Sequence, residues 1–254
     1  MMTVEAGRAQ QWHGGTWQPR PAGGGPGPDA ARAGRALIVI NPNSSAHVTD
    51  GIAAALTPLE AWGLPIRCVT LAEGPPGIET DAEAAEVVPP LLALAARLEG
   101  EALGFSIACF SDPGLHALRS RTALPVTGTG EAAYLAAIGL GERFGVISVR
   151  SGSIPRHLRY IRSLGLMARC AGDRALDIGV ADLAGSPETA PRMIEVAERL
   201  RDDDGADVLV LGCAGMAHLR ATLEDAVGLP VVEPSQAGAA QALTRIALGL
   251  VTAR

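Results

Sequence analysis

Apolar residues in this chain come in short unbroken runs, each followed by a turn and then a stretch with helical spacing. Ala36-Leu37-Ile38-Val39-Ile40 is the first such run. A continuous run of this length suits a central strand of a parallel sheet, which is covered on both faces. Further strands are predicted near 66–71, 104–109, 125–127, 144–149, 207–211 and 230–232. Helical patterns fall near 48–62, 82–99, 114–121, 131–138, 155–164, 188–201, 216–226 and 235–250. Pro89-Pro90 kinks or restarts the second of these. Such alternation predicts an α/β protein whose parallel sheets carry helices on both faces.

The pattern also repeats. Gly63-Leu64-Pro65-Ile66-Arg67-Cys68 recurs 102 residues later as Gly165-Leu166-Met167-Ala168-Arg169-Cys170. Cys109 recurs 104 residues on as Cys213, and Leu124-Pro125-Val126 recurs 105 on as Leu229-Pro230-Val231. Three landmarks in one order at near-constant offset imply a duplicated α/β unit and a two-lobed molecule. The expected lobes are 35–127 plus 232–254, and 128–231, with the two cysteines facing each other across the cleft. Residues 1–34, with the Gly/Pro-rich stretch 19–28 and two of the three tryptophans (Trp12 and Trp17), are expected to be a disordered tail.

Composition removes several chemistries. The 254 residues carry a net charge of −6, which argues against a nucleic-acid surface. No apolar run reaches the roughly 18 residues of a membrane span. All 21 basic residues are arginine. Without lysine there is no Schiff-base pyridoxal enzyme and no Walker-A loop. The four cysteines lack C-x-x-C spacing, no Cys/His cluster has ligand spacing, and no signal peptide opens the chain. A cytoplasmic protein with neither metal nor cofactor is expected, acting on a small molecule and assembling as a homo-oligomer.

Cys109 and Cys213 both stand where a predicted strand hands over to a loop and a helix, the sheet edge where open α/β folds bind ligands. Helix ends and free backbone N–H groups there are expected to favour thiolate. Opposed thiols can take a proton from one face of a carbon and return it to the other. Candidate substrate contacts surround them: Asn41, Asn43, Ser44 and Ser45 after the first strand, Phe110 and Ser111 after Cys109, Ala214 and Gly215 after Cys213, Ser148 in the symmetric loop, and Gly130, which permits close approach. Ser45 or Thr49 also suits a helix cap. His116 and His218 follow the cysteines but lie inside helical patterns that point away from the sheet edge.

Four segments carry a resemblance to a known family. They are Val39-Ile40-Asn41-Pro42-Asn43-Ser44-Ser45, Ala108-Cys109-Phe110-Ser111-Asp112-Pro113-Gly114-Leu115, Pro125-Val126-Thr127-Gly128-Thr129-Gly130-Glu131-Ala132-Ala133 and Val210-Leu211-Gly212-Cys213-Ala214-Gly215-Met216. The chain resembles the aspartate/glutamate/hydantoin racemase superfamily, and within it the hydantoin racemases, over about residues 36–250. The resemblance implies two flavodoxin-like lobes with the active site between them. It also implies cofactor-independent racemisation by Cys109 and Cys213. Amino-acid racemases of the superfamily follow the first cysteine with Asn-Thr, so Phe110-Ser111 points away from free aspartate or glutamate. Arylmalonate decarboxylases keep one cysteine of the pair, so two argue for racemisation. His116 and His218 replace acidic residues of relatives, and Gly152 stands where arginine is common. The expected substrate is a 5-substituted hydantoin or a related cyclic ureide such as allantoin. The scaffold also leaves open a maleate-isomerase-like, decarboxylase-like or aspartate/glutamate racemase enzyme, or a non-catalytic ureide-binding or redox-responsive protein.

Overall fold

The structure is a computed structural model that describes residues 34–179, 183 and 187–251. The expected tail up to residue 33, with Trp12 and Trp17, lies outside the described residues. The first half contains β1 (Ala36–Asn41), α1 (Ala46–Glu60), β2 (Ile66–Thr70), α2 (Asp81–Glu86), α3 (Val88–Leu98), β3 (Ala102–Ile107), α4 (Leu115–Arg119), β4 (Val126–Gly128) and α5 (Thr129–Ala137). The second contains β5 (Phe144–Ser148), α6 (Ile154–Ser163), β6 (Cys170–Ala175), α7 (Thr189–Asp202), β7 (Val208–Leu211), a 3-10 segment (Ala214–Leu219), α8 (Arg220–Val227), β8 (Val231–Val232) and α9 (Pro234–Leu248).

Two four-stranded parallel sheets result, ordered β2-β1-β3-β4 and β6-β5-β7-β8. Adding four to each strand of the first sheet gives the second, so the duplication is one of topology. The order is that of a doubly wound sheet, with its switch point between β1 and β3 and again between β5 and β7. Successive residues of a strand serve opposite layers. Leu37 and Val39 pack with Ile52 and Leu56 of α1 and with Ala242 and Leu243 of α9. Ile38 and Ile40 turn to Leu91 of α3 and Leu115 of α4. Val208 and Val210 meet Tyr134 of α5 and Ile161 of α6, while Leu209 and Leu211 meet Val196 of α7 and Leu223 of α8. The helix that follows the fourth strand of each sheet thus crosses to the other sheet.

Local chemistry explains the element ends. Gly63 and Gly165 hold φ of 74° and 73° in the turns before β2 and β6, the left-handed conformation that glycine adopts without strain. The repeat seen in sequence is therefore a repeat of turn and edge strand. The predicted helix over 82–99 is split at Val87, with proline in the first turn of α3 where its missing N–H costs nothing. Strand β6 was not among the predicted strands. Its sequence, Cys-Ala-Gly-Asp-Arg-Ala, is polar because it is a half-buried edge strand, unlike the fully buried β5 beside it. The helix predicted near 216–226 begins as the 3-10 segment 214–219, and α4 is only five residues long.

Candidate active site

The two cysteines occupy equivalent places. Cys109 lies two residues past β3 and Cys213 two residues past β7. The preceding residue in each half is still tied to the neighbouring strand: the Ala108 N–H donates to Ile40 O at 2.8 Å and the Gly212 N–H to Ile147 O at 2.9 Å. Both side chains line one cleft of about 590 Å³ including its open mouth. Of the predicted contacts, Asn43, Phe110, Ser111 and Ala214 line it with them.

Burial dominates the electrostatics of the pair. It pushes the Cys109 thiol up to about 11, against the Ser111 N–H and hydroxyl and the positive charge of Arg156. It pushes Cys213 up to about 12, against the Gly215 N–H, which donates to Sγ at 3.4 Å. A charge on Cys109 raises Cys213 further, so the two thiols feel each other directly. The expectation that helix ends would favour thiolate is corrected here. The helix after Cys109 starts only at Leu115 and has five residues, and Cys213 is followed by a 3-10 segment. Neither supplies a dipole that outweighs desolvation. Both thiols are half-exposed at the cleft yet pushed up in the same direction, and Arg156 and Ser111 oppose the shift at Cys109.

The remaining predicted residues divide. Asn41 is buried beneath the site: its Nδ2 donates to Asn43 Oδ1 at 2.9 Å, Ser45 O at 3.1 Å and Thr49 Oγ1 at 3.0 Å. It shapes the loop that presents Asn43. Ser45 caps α1, accepting the Val48 N–H at 3.4 Å. Ser44, Ser45 and Gly215 line a neighbouring cavity rather than the cysteine cleft, and Ala214 lines both. Ser148 is buried, its hydroxyl donating to Asp173 Oδ1 and lying 3.0 Å from His157 Nδ1. Gly130 is buried, and its N–H donates to Asp112 Oδ1 at 2.9 Å.

Asp112 is the buckle behind Cys109. Its backbone sits at φ 46°, a left-handed position that aspartate tolerates better than most residues. Its carboxylate also accepts the Glu131 N–H at 2.7 Å and the Tyr160 hydroxyl at 2.7 Å. It thereby caps α5, whose own N-cap is Gly128 with no side chain to do so. A Cβ on Gly128 would overlap this carboxylate, and one on Gly130 would overlap the Phe110 carbonyl. The Thr127–Glu131 motif is thus glycine-rich because the loop bearing Cys109 lies directly on it.

The Asp/Glu/hydantoin racemase family model matches residues 37–242. The chain belongs to the Asp/Glu/hydantoin racemase family. The racemase is 34% identical over 222 residues to a hydantoin racemase of Rhizobium meliloti, covering 86% of this chain and 91% of that one. An allantoin racemase structure from Klebsiella pneumoniae matches at 32% identity with a TM-score of 0.82, covering 86% of this chain and 90% of that chain. A second, from Pseudomonas fluorescens, matches at 27% with a TM-score of 0.82, covering 85% and 93%. The protein is an isomerase, a racemase on the two-lobed fold of this family.

Several cleft residues of the racemase escaped the sequence reading. Arg156 of α6 reaches across to the first half, where Nε donates to Ser111 Oγ at 3.0 Å and an Nη to Glu79 O at 3.1 Å. His157 lines the cleft, with its ring edge-on to Phe110 and its Nδ1 2.9 Å from Asp173 Oδ2. Glu79 and Arg150 line the cleft and pair at 3.6 Å. In sequence these residues resemble ordinary solvated charges. Placing the two halves in register would have exposed them: Thr49 and His157 are each the fourth residue of their helix, and Val48 and Arg156 each the third. His116 and His218 do not line the cysteine cleft.

Proposed function

We propose that the racemase inverts C5 of a 5-substituted hydantoin or related cyclic ureide by proton transfer between Cys109 and Cys213. The observation that carries this is the pair of equivalent strand-end thiols lining one cleft and coupled to each other electrostatically. The identity to a hydantoin racemase and the likeness to allantoin racemases support the substrate class.

The C5–H bond is acidic because the adjacent carbonyl spreads the resulting charge. Arg156 and the Ser111 N–H both favour the thiolate of Cys109. Its thiolate takes the C5 proton, giving a planar enolate, and the Cys213 thiol returns a proton to the opposite face. Cys213 is then the thiolate and serves the other enantiomer with the roles exchanged. Asn43 and Ser111 on the first half supply hydrogen bonds to the developing enolate and the ring amides. The cycle needs no redox step and no cofactor.

The test uses optically pure hydantoins followed by polarimetry, with proton exchange at C5 followed in deuterium oxide. Cys109→Ser and Cys213→Ser are each expected to lose racemisation by roughly a thousandfold or more. Each retains C5 exchange with one enantiomer only, the two variants choosing opposite hands. Full racemisation by either variant would refute the two-thiol mechanism.

A further inference from the structure

The fold uses the imidazole of His157 on one edge only. The ring stands in the first turn of α6, 3% exposed and edge-on to Phe110 at 5.1 Å between centroids. Its Nδ1 meets Asp173 Oδ2 at 2.9 Å and Ser148 Oγ at 3.0 Å. The Ser148 hydroxyl gives its own hydrogen to Asp173 Oδ1, so towards the ring it offers a lone pair. Both partners of Nδ1 are therefore acceptors. The neutral ring carries its hydrogen on Nδ1, and Nε2 is left with a lone pair. Among the described residues no group hydrogen-bonds Nε2, and it is not one of the sealed polar atoms that lack a partner. It opens to the cleft that His157 lines with both cysteines.

The equivalent residue of the first half is spent on structure. Thr49 engages Asn41 Nδ2 at 3.0 Å, Thr70 Oγ1 at 2.6 Å and Ser45 O at 3.3 Å, and it does not line the cleft. The uncharged polar side chains that do line it present hydrogens. Asn43 Oδ1 accepts from Asn41 Nδ2 at 2.9 Å and from the Ser45 N–H at 3.0 Å, which leaves its amide hydrogens to give. The hydroxyls of Ser111 and Ser153 accept from Arg156 at 3.0 and 3.3 Å, which leaves theirs. Such donors suit carbonyl oxygens.

We propose that Nε2 of His157 accepts a ring N–H of the substrate, with Asp173 and Ser148 as the positioning residues that keep it an acceptor. The inference rests on the hydantoin reading above. A hydantoin ring presents N–H groups as well as carbonyl oxygens, and an N–H taken out of water without an acceptor is costly. Holding one ring N–H also fixes the rotation of the ring in its own plane. That rotation sets where C5 stands between the two sulfurs.

The experiment measures kcat/KM for optically pure 5-benzylhydantoin and for its N1-methyl and N3-methyl derivatives, in the wild type, His157→Asn and Asp173→Asn. The wild type should disfavour one of the two methyl derivatives against the parent by on the order of a hundredfold or more. His157→Asn keeps an amide donor for Asp173 but ends short of the cleft. Asp173→Asn offers an amide donor to Nδ1 and drives the ring hydrogen onto Nε2, the wrong tautomer for accepting. In both variants the discrimination should collapse to about tenfold or less, because the parent loses its hydrogen bond and the methyl derivative has none to lose. Each ratio is read within one preparation, so the folded fraction of a variant cancels. Asp173→Asn preserves the volume of the site, so added room cannot account for its loss of discrimination. A wild type that accepts both derivatives like the parent, or discrimination that survives in either variant, overturns the assignment while the two-thiol reading stands. A wild type that racemises none of the three compounds brings down the hydantoin reading as well.

Discussion

Helices α1 and α6 hold the same place in the two halves, yet they meet the opposite half in contrasting ways. Helix α6 closes its side with long polar side chains: Arg156 on Ser111 at 3.0 Å, Tyr160 on Asp112 at 2.7 Å and Arg159 on Asp81 at 2.5 Å. Helix α1 turns Gly51, Ala54 and Ala55 to its side and leaves a cavity. Beneath them the contrast recurs as two buried polar triads. Asn41, Thr49 and Thr70 are neutral and linked at 3.0 and 2.6 Å. Ser148, His157 and Asp173 join a hydroxyl, an imidazole and a carboxyl group, linked at 3.0 and 2.9 Å where Nδ1 of His157 meets its partners. A duplicated scaffold has fixed one wall of the cleft with charge and opened the other with small residues. The same asymmetry puts the positive charge of Arg156, which opposes the upward shift of the thiol, on the Cys109 side of the cleft.

The largest expected effect separates the two triads. His157→Leu leaves the Asp173 carboxylate, 1% exposed, with Ser148 as its remaining side-chain partner. Leaving this buried carboxyl group short of its ring partner costs up to about 3 kcal/mol. Thr49→Val removes a hydroxyl from a neutral cluster in which Asn41 keeps two other acceptors, and costs about 1 kcal/mol. Urea denaturation of both variants measures the gap. Equal losses would mean that the His157–Asp173 contact contributes no more than one neutral hydroxyl bond.

Next comes the cation beside Cys109. Arg156→Met removes the charge that opposes the burial of this thiol and the contact that positions Ser111. Racemisation at neutral pH should fall about a hundredfold, as for loss of one preorganised stabilising group. A purely structural role would leave the pH profile in place. Instead the rising limb of kcat/KM, which reports thiolate formation, should move to higher pH, and Arg156→Lys should return part of the shift. Alkylation of Cys109 by iodoacetamide should slow in parallel, while that of Cys213 changes less.

The apolar runs were legible because a central parallel strand is buried on both faces and has no other way to look. Cys109 and Cys213 were legible because duplication placed them at equal distances from equal strand ends. Edge strand β6 was not, since Arg174 stands half-exposed beside Asp204 and Asp173 is buried only because Ser148 and His157 bind it. Arg156 and His157 were not, since a helix carrying Arg and His reads as solvated until its face is known. Ser148, Asn41 and Gly130 were read as ligand contacts because their loops lie at the right sheet edge. Only coordinates distinguish a polar group facing a cleft from one buried just beneath it. The direction of the thiol shift failed for a related reason: helix ends can be predicted from sequence, whereas desolvation cannot.

The smallest expected effect concerns the buckle on which α6 closes. Burial pushes Asp112 up to about 7, even though two N–H groups and the Tyr160 hydroxyl oppose the shift. In the unfolded chain the same carboxyl titrates near its ordinary value of about 4. Between those values the folded protein holds a proton that the unfolded chain releases. The folded form binds more protons there, so stability must fall as pH rises from about 4 to about 7. Asp112→Asn removes this titration. It also points an amide at the Gly130 and Glu131 N–H groups, which costs about 1–3 kcal/mol where the wild type is protonated. The variant should therefore trail the wild type most at pH 5 and least at pH 7.5 in denaturant melts. Because the neutral cluster under α1 contains no such group, Thr49→Val should stay parallel to the wild type across the same range. A gap for Asp112→Asn that widens with pH would show that the three hydrogen bonds, not burial, govern this carboxylate.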